Sequence, residues 1–166
     1  MKKVIHISLF LLSILMLTQM SNASIGNQVE SFEVELVLVA DREAFLNEWN
    51  SNTSPPKLKK ITDIKKGKSV FLYVIFKNCF AKLPDDKCAV VSEMTLKGPD
   101  GSSIKLGRTL VWNDKTPATG MYFLGRDFVE IGFSESDIPG SYEVIANVID
   151  VNARKARLIS KRFKLL

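Results

Sequence analysis

The sequence predicts an all-β sandwich of about seven to eight strands with one short helix after the first strand. Three observations carry that expectation. Apolar residues occupy alternate positions in one segment after another. Turn residues separate those segments at intervals of about 8 to 12 residues. An apolar leader precedes two cysteines, which places the pair in an oxidising compartment, where thiols close into disulfides.

The leader comes first. Lys2 and Lys3 precede an apolar run from Val4 to Leu17, and Ser21-Asn22-Ala23 offers a peptidase cut before Ser24. That pattern is a secretory signal peptide. The run falls short of the roughly 20 residues that cross a bilayer, so the chain is not expected to span a membrane. Residues 1–23 are expected to be removed, leaving 24–166 as one β-sandwich domain, periplasmic or secreted. Without Lys2 and Lys3 the formal charge drops from +5 to +3. So small an excess names no partner and argues against nucleic acid. His6, the one histidine, leaves with the leader. Neither a Ser-His-Asp nor a Cys-His nucleophile can then be built, and the commonest zinc and copper ligand is missing. No catalytic residue, metal ligand or cofactor is expected.

The first strand begins near Phe32. Phe32, Val34, Leu36 and Leu38 alternate with Glu33 and Glu35, and Val37 and Val39 then make the other face apolar too. The helix follows over Arg42 to Trp49. Asp41 is placed to cap it, Phe45 and Trp49 lie one turn apart, and Asn50 to Pro56 ends it. Ser69 to Phe76 is apolar on both faces and is expected at the centre of a sheet.

Cys79 and Cys88 bracket Phe80 to Lys87, so their disulfide is expected to staple a hairpin-like connection. Their spacing is wider than the Cys-x-x-Cys of redox-active pairs. Cys88 to Lys97 alternates, with Val90, Met94 and Leu96 facing one way. Gly98-Pro99-Asp100-Gly101 is a tight turn. Ile104, Leu106, Leu110 and Trp112 share a phase on the next strand, which Arg108 interrupts, as an edge strand or a bulge would. Asn113 to Gly120 reads as a polar connection. Val129, Ile131 and Phe133 alternate beyond it, as do Tyr142, Val144, Ala146 and Val148. The last strand, Ala156 to Leu166, returns across a turn near Asn152. Leu158 and Phe163 are both buried there only if a bulge lies between them.

Pro139-Gly140-Ser141-Tyr142-Glu143-Val144 resembles the start of the penultimate strand of immunoglobulin-like sandwiches. The likeness implies an immunoglobulin-like β-sandwich in which the Tyr142 hydroxyl bonds back to nearby backbone, so that Tyr142 serves the fold. A wider likeness runs from Ala40 to Asn50, through Cys79 and Cys88, the Gly98 to Gly101 turn and Trp112, to Gly140-Ser141-Tyr142. Over those residues the chain resembles a group of small uncharacterised periplasmic proteins of Gram-negative bacteria. That resemblance implies a compartment and a fold and carries no activity.

Three sets of residues are candidates for function. Lys57, Lys59, Lys60, Lys65, Lys66 and Lys68 form one basic cluster, and Arg154, Lys155, Arg157, Lys161, Arg162 and Lys164 form another. Either suits an anionic headgroup or an acidic partner; the plainer account is that lysines guard sheet edges against unwanted pairing. Trp112 and Tyr122 bracket the polar connection and would present aromatic surface to a partner, or else plug the end of the core. Phe45 and Trp49 are expected to pack the helix onto the sheet. Exposed carboxylates are sought at Asp85, Asp86, Asp114, Glu135, Asp137 and Asp150, none with the spacing of a calcium loop. The expectation is a non-enzymatic binding or accessory module for another envelope protein or peptide. A carboxylate-dependent carbohydrate or cell-wall hydrolase and a structural subunit of an envelope assembly are the alternatives. The sequence leaves the oligomeric state open.

Overall fold

A computed structural model of the protein describes residues 31–51 and 61–166. The expected leader, and Lys57, Lys59 and Lys60 of the first basic cluster, lie outside the described residues. Eight strands and one helix follow in the order β1 (Glu33–Val39), α1 (Arg42–Ser51), β2 (Asp63–Ile64), β3 (Ser69–Lys77), β4 (Lys87–Lys97), β5 (Ser103–Lys115), β6 (Phe123–Gly132), β7 (Gly140–Asp150) and β8 (Lys155–Leu165).

The strands form two sheets, one ordered β1-β3-β6 and one ordered β2-β8-β7-β4-β5. Every pairing is antiparallel except the short parallel contact of β2 with β8. This is the immunoglobulin-like arrangement. β1, β3 and β6 stand where that fold has strands A, B and E, and β4, β7 and β8 where it has C, F and G, with β5 added beside C. Between the sheets lies the main core. Leu36, Leu72, Val74 and Phe76 from one layer meet Val90, Met94, Val144, Val148 and Phe163 from the other.

The tyrosine corner is formed. The Tyr142 hydroxyl donates to the Ile138 carbonyl at 2.9 Å. Glycine is required two residues earlier, because Gly140 has φ of 145° and a Cβ there would meet the Pro99 ring at 2.6 Å.

The double-faced apolar pattern of β1 and β3 has a simple cause. Their inner residues join the main core, while Val37, Val39, Tyr73 and Ile75 face outward and are covered by the helix. α1 forms because Asp41 Oδ1 accepts the Ala44 N–H at 3.0 Å, as an N-cap should. Phe45 then packs on Tyr73 at 5.2 Å between ring centroids and on Trp49 at 6.0 Å. β3 is therefore central in its sheet and covered above and below, as its sequence requires.

Three expectations are corrected, and one that was left conditional is settled. Cys79 and Cys88 are bonded, but β3 and β4 do not pair with each other; they lie in different sheets, so the disulfide ties the two layers together and is no hairpin staple. Ile104 and Leu110 are exposed, because the β4–β5 register shifts twice and turns Val111 into the core instead. Asn113–Lys115 belongs to β5, which shortens the polar connection. Leu158 points out at 74% exposure while Phe163 is buried, and the β7–β8 register runs unbroken between them. No bulge is needed when only one of the two is hidden.

Candidate functional site

The two ends of the sandwich differ in chemistry. At the disulfide end, Trp112 packs edge-on against Phe76 and Phe123, its Nε1 donates to the Lys115 carbonyl at 3.1 Å, and the Arg126 guanidinium lies 4.6 Å over its ring. Arg126 also pairs with Asp114 at 2.6 Å. The Lys115 N–H, then Arg126, hold the Asp114 carboxyl below its usual range. Trp112 is thus a plug held between the core aromatics and Arg126. Tyr122 is more open, but its hydroxyl bonds Glu33 at 3.2 Å and its ring lies under Lys77. Glu33 in turn raises the Lys77 pKa through a 3.1 Å ion pair. Both aromatics sit at one end of the molecule, each tied into an ion pair.

The loop bridged by the disulfide is held from the β7–β8 turn. Asp150 is fully buried, with Oδ2 accepting the Phe80 N–H at 2.7 Å and Oδ1 the Ala153 N–H at 3.0 Å. Asn152 donates to the carbonyls of Phe80 and Lys87, both at 3.0 Å. Asp150, sought as an exposed carboxylate, is a structural anchor. Asp137 is tied as well, accepting the Ser134 N–H at 2.6 Å, which is the first cause of its lowered pKa. Among the described residues no cluster of three or more His, Cys, Asp or Glu side chains suits a metal ion.

The second basic cluster is spread over both faces and one edge of β8. Phe163 and Leu165 point into the core, so Lys155, Arg157 and Lys161 share their side of the strand, while Arg162 and Lys164 point away. Arg157 donates to the Phe32 carbonyl at 2.9 Å, and Arg162 pairs with Glu143 at 3.1 Å. The strand's outer edge is the telling feature. β2 pairs only with Lys164 and Leu165, through the Lys164 N–H to Thr62 and the Leu166 N–H to Ile64. By the two-residue period the N–H groups of Leu158, Ser160 and Arg162 face that same edge. Among the described residues no strand pairs with them there. Of the first cluster, Lys66 donates to the Glu135 carbonyl at 2.8 Å.

The sequence did not reveal a cleft at the opposite end. It opens between β5 and β6 with a volume of about 380 Å³, at the low end of small-molecule sites. Its wall is apolar, with Leu96, Ile131, Phe133 and Tyr142 buried and Ile104 and Ile138 half exposed at the mouth. Asp100, Glu130 and Asp137 stand around it. The one available signal was Ile138, a lone apolar residue at the end of the polar run Ser134-Glu135-Ser136-Asp137. A second pocket, about 270 Å³, lies beside the helix N-terminus and includes Asp41 and Phe45.

No family model matches the chain, and no curated protein matches it. Several solved structures superpose on it at low scores. A Niemann-Pick type C2 protein from the Japanese carpenter ant superposes with a TM-score of 0.44 and 7% identity, over 81% of this chain and 91% of that one. A CARDB domain from Pyrococcus furiosus gives 0.38 and 10%, over 82% and 90%. A family 123 glycoside hydrolase from Clostridium perfringens gives 0.44 and 9%, but this chain spans only 27% of it. At these values the matches add nothing to the reading of this chain, whose immunoglobulin-like arrangement rests on its own strand order and tyrosine corner.

Proposed function

We propose that the protein is an exported, non-enzymatic binding module that adds an extended acidic segment of an envelope partner as a strand beside β8. The carrying observation is the edge itself: from Lys155 to Phe163 no described strand is hydrogen-bonded along it, and the side chains there are basic or neutral. An open edge supplies main-chain donors and acceptors for strand addition, and the basic side chains favour an acidic strand over others. Leu158, exposed in the middle of that stretch, offers one apolar anchor. Export is supported by the leader-like residues 1–23 and by the Cys79–Cys88 disulfide. The resemblance to small Gram-negative periplasmic proteins agrees with that compartment.

Lysines on an edge also repel unwanted strands, and a peptide separates the two roles. A fluorescent peptide alternating Glu and Val is titrated into the oxidised protein and followed by anisotropy. Binding should be saturable, should weaken with salt, and should be lost in Leu158→Pro. That substitution removes an outward N–H without touching the ladder to β7. A Lys-Val peptide that binds as well as the acidic one, or a Leu158→Pro protein that binds unchanged, would sink the reading.

A further inference from the structure

The cleft between β5 and β6 belongs to the opposite end of the molecule and stands independently of β8. Its composition is one-sided. The wall made by Leu96, Leu106, Ile131 and Phe133 is apolar, and the charged residues around it are Asp100, Glu130 and Asp137. Among the described residues lining it none is basic, and none of these three carboxylates is in a salt bridge. Lys66, whose charge acts on Asp137, donates to the Glu135 carbonyl.

We infer that this cleft binds an amphiphilic cation: a small molecule whose apolar chain lies on the wall and whose ammonium group meets the carboxylates at the mouth. Each half of that description excludes an alternative. An anionic amphiphile would bring like charge against the Asp100 and Asp137 carboxylates in a half-enclosed site, where screening by water is incomplete. A purely hydrophilic cation would leave Ile104 and Ile138 exposed, at 57% and 52%, and would gain nothing from the apolar wall. A bare metal ion is disfavoured because no cluster of three suitable ligands exists among the described residues.

The carboxylates are ready for the task at neutral pH. Hydrogen bonds from Ser102 to Asp100 and from Ser134 to Asp137 keep both ionised well into the acid range. A cation that enters therefore displaces no proton. Nor does it break an existing ion pair.

The test uses the oxidised full chain, labelled with ¹⁵N, and three detergents with the same dodecyl chain, each kept below its micelle-forming concentration. Dodecyltrimethylammonium should give saturable amide shifts confined to Ile104–Leu106, Glu130–Phe133 and Ser136–Ile138. The neutral dodecyl maltoside should bind about tenfold more weakly and dodecyl sulfate not at all, since a tenfold difference corresponds to about 1.4 kcal/mol of charge selectivity. The double variant Asp100→Asn with Asp137→Asn should lose that preference while keeping the maltoside affinity. Equal binding of sulfate and ammonium, shifts that spread over the surface without saturating, or a double variant that still prefers the cation would each overturn the inference.

Discussion

Asp150 sits at the end of β7 without solvent exposure, and both carboxylate oxygens accept backbone N–H groups from loops far apart in sequence. Bonds to a charged acceptor are worth about 1.5 to 3 kcal/mol each, and removing the acceptor orphans the donors. Asp150→Ala should therefore lose about 3 kcal/mol in urea unfolding, and a loss under 1 kcal/mol would contradict the anchor role. Ser92 gives the opposite case. Its hydroxyl is fully buried in β4 with no hydrogen-bond partner among the described residues. Ser92→Ala should raise stability by about 1 kcal/mol, read as a higher denaturation midpoint. Neither fact was legible in the sequence. Asp150 falls in the same phase as Tyr142, Val144, Ala146 and Val148, but a carboxylate in that phase is read as exposed until the N–H groups that satisfy it are seen.

Elements were legible where one local rule decided them. The Asp41 cap, the Phe45-Trp49 spacing and the doubly apolar β3 follow from capping and periodicity, and the helix laid over Val37, Val39, Tyr73 and Ile75 explains why both faces of β1 and β3 are greasy. Phe45→Ala should open that outer cluster and cost about 3 kcal/mol. Near-ultraviolet circular dichroism of the aromatics should change while the strand signal stays. β5 was misread because its phase is set by its neighbour. Extra residues between the pairs Val90/Val91 and Met94/Thr95 of β4 turn Val111 inward and leave Ile104 and Leu110 outside. No sequence period survives two bulges. The disulfide was misplaced for a related reason, since nearness in sequence suggested a hairpin where the chain crosses from one sheet to the other.

Across the molecule, charge and sulfur set the conditions under which the sandwich holds. The carboxyls of Asp100, Asp114, Asp137 and Glu143 are all held below their ordinary values by hydrogen bonds, to which neighbouring cations add at the last three. For a depressed acid the stabilisation is complete above its unfolded value, about 4, and is lost as pH falls through the lower folded value. Burial raises the Tyr142 hydroxyl, so its share is kept below about pH 10 and lost above. Urea midpoints should thus be flat from about pH 5 to 9 and drop on both sides; a midpoint still unchanged at pH 3 would contradict the acid limb. Replacing Cys79 and Cys88 by Ser should cost about 2 to 3 kcal/mol, because the crosslink restrains the unfolded chain and joins two layers that share no strand pairing there.

The basic residues of β8 were legible as a group, but not their division between two faces, since which strands lie beside β8 is a matter of tertiary pairing. Everything proposed for partner binding rests on the open side of that strand, and amide hydrogen exchange reads it directly. In the free protein the N–H groups of Leu158, Ser160 and Arg162 should exchange rapidly while their β7-facing neighbours are protected, and the Glu-Val peptide should slow those three. Slow exchange at all three positions before any peptide is added would mean that the edge is already covered, and strand addition there would be ruled out.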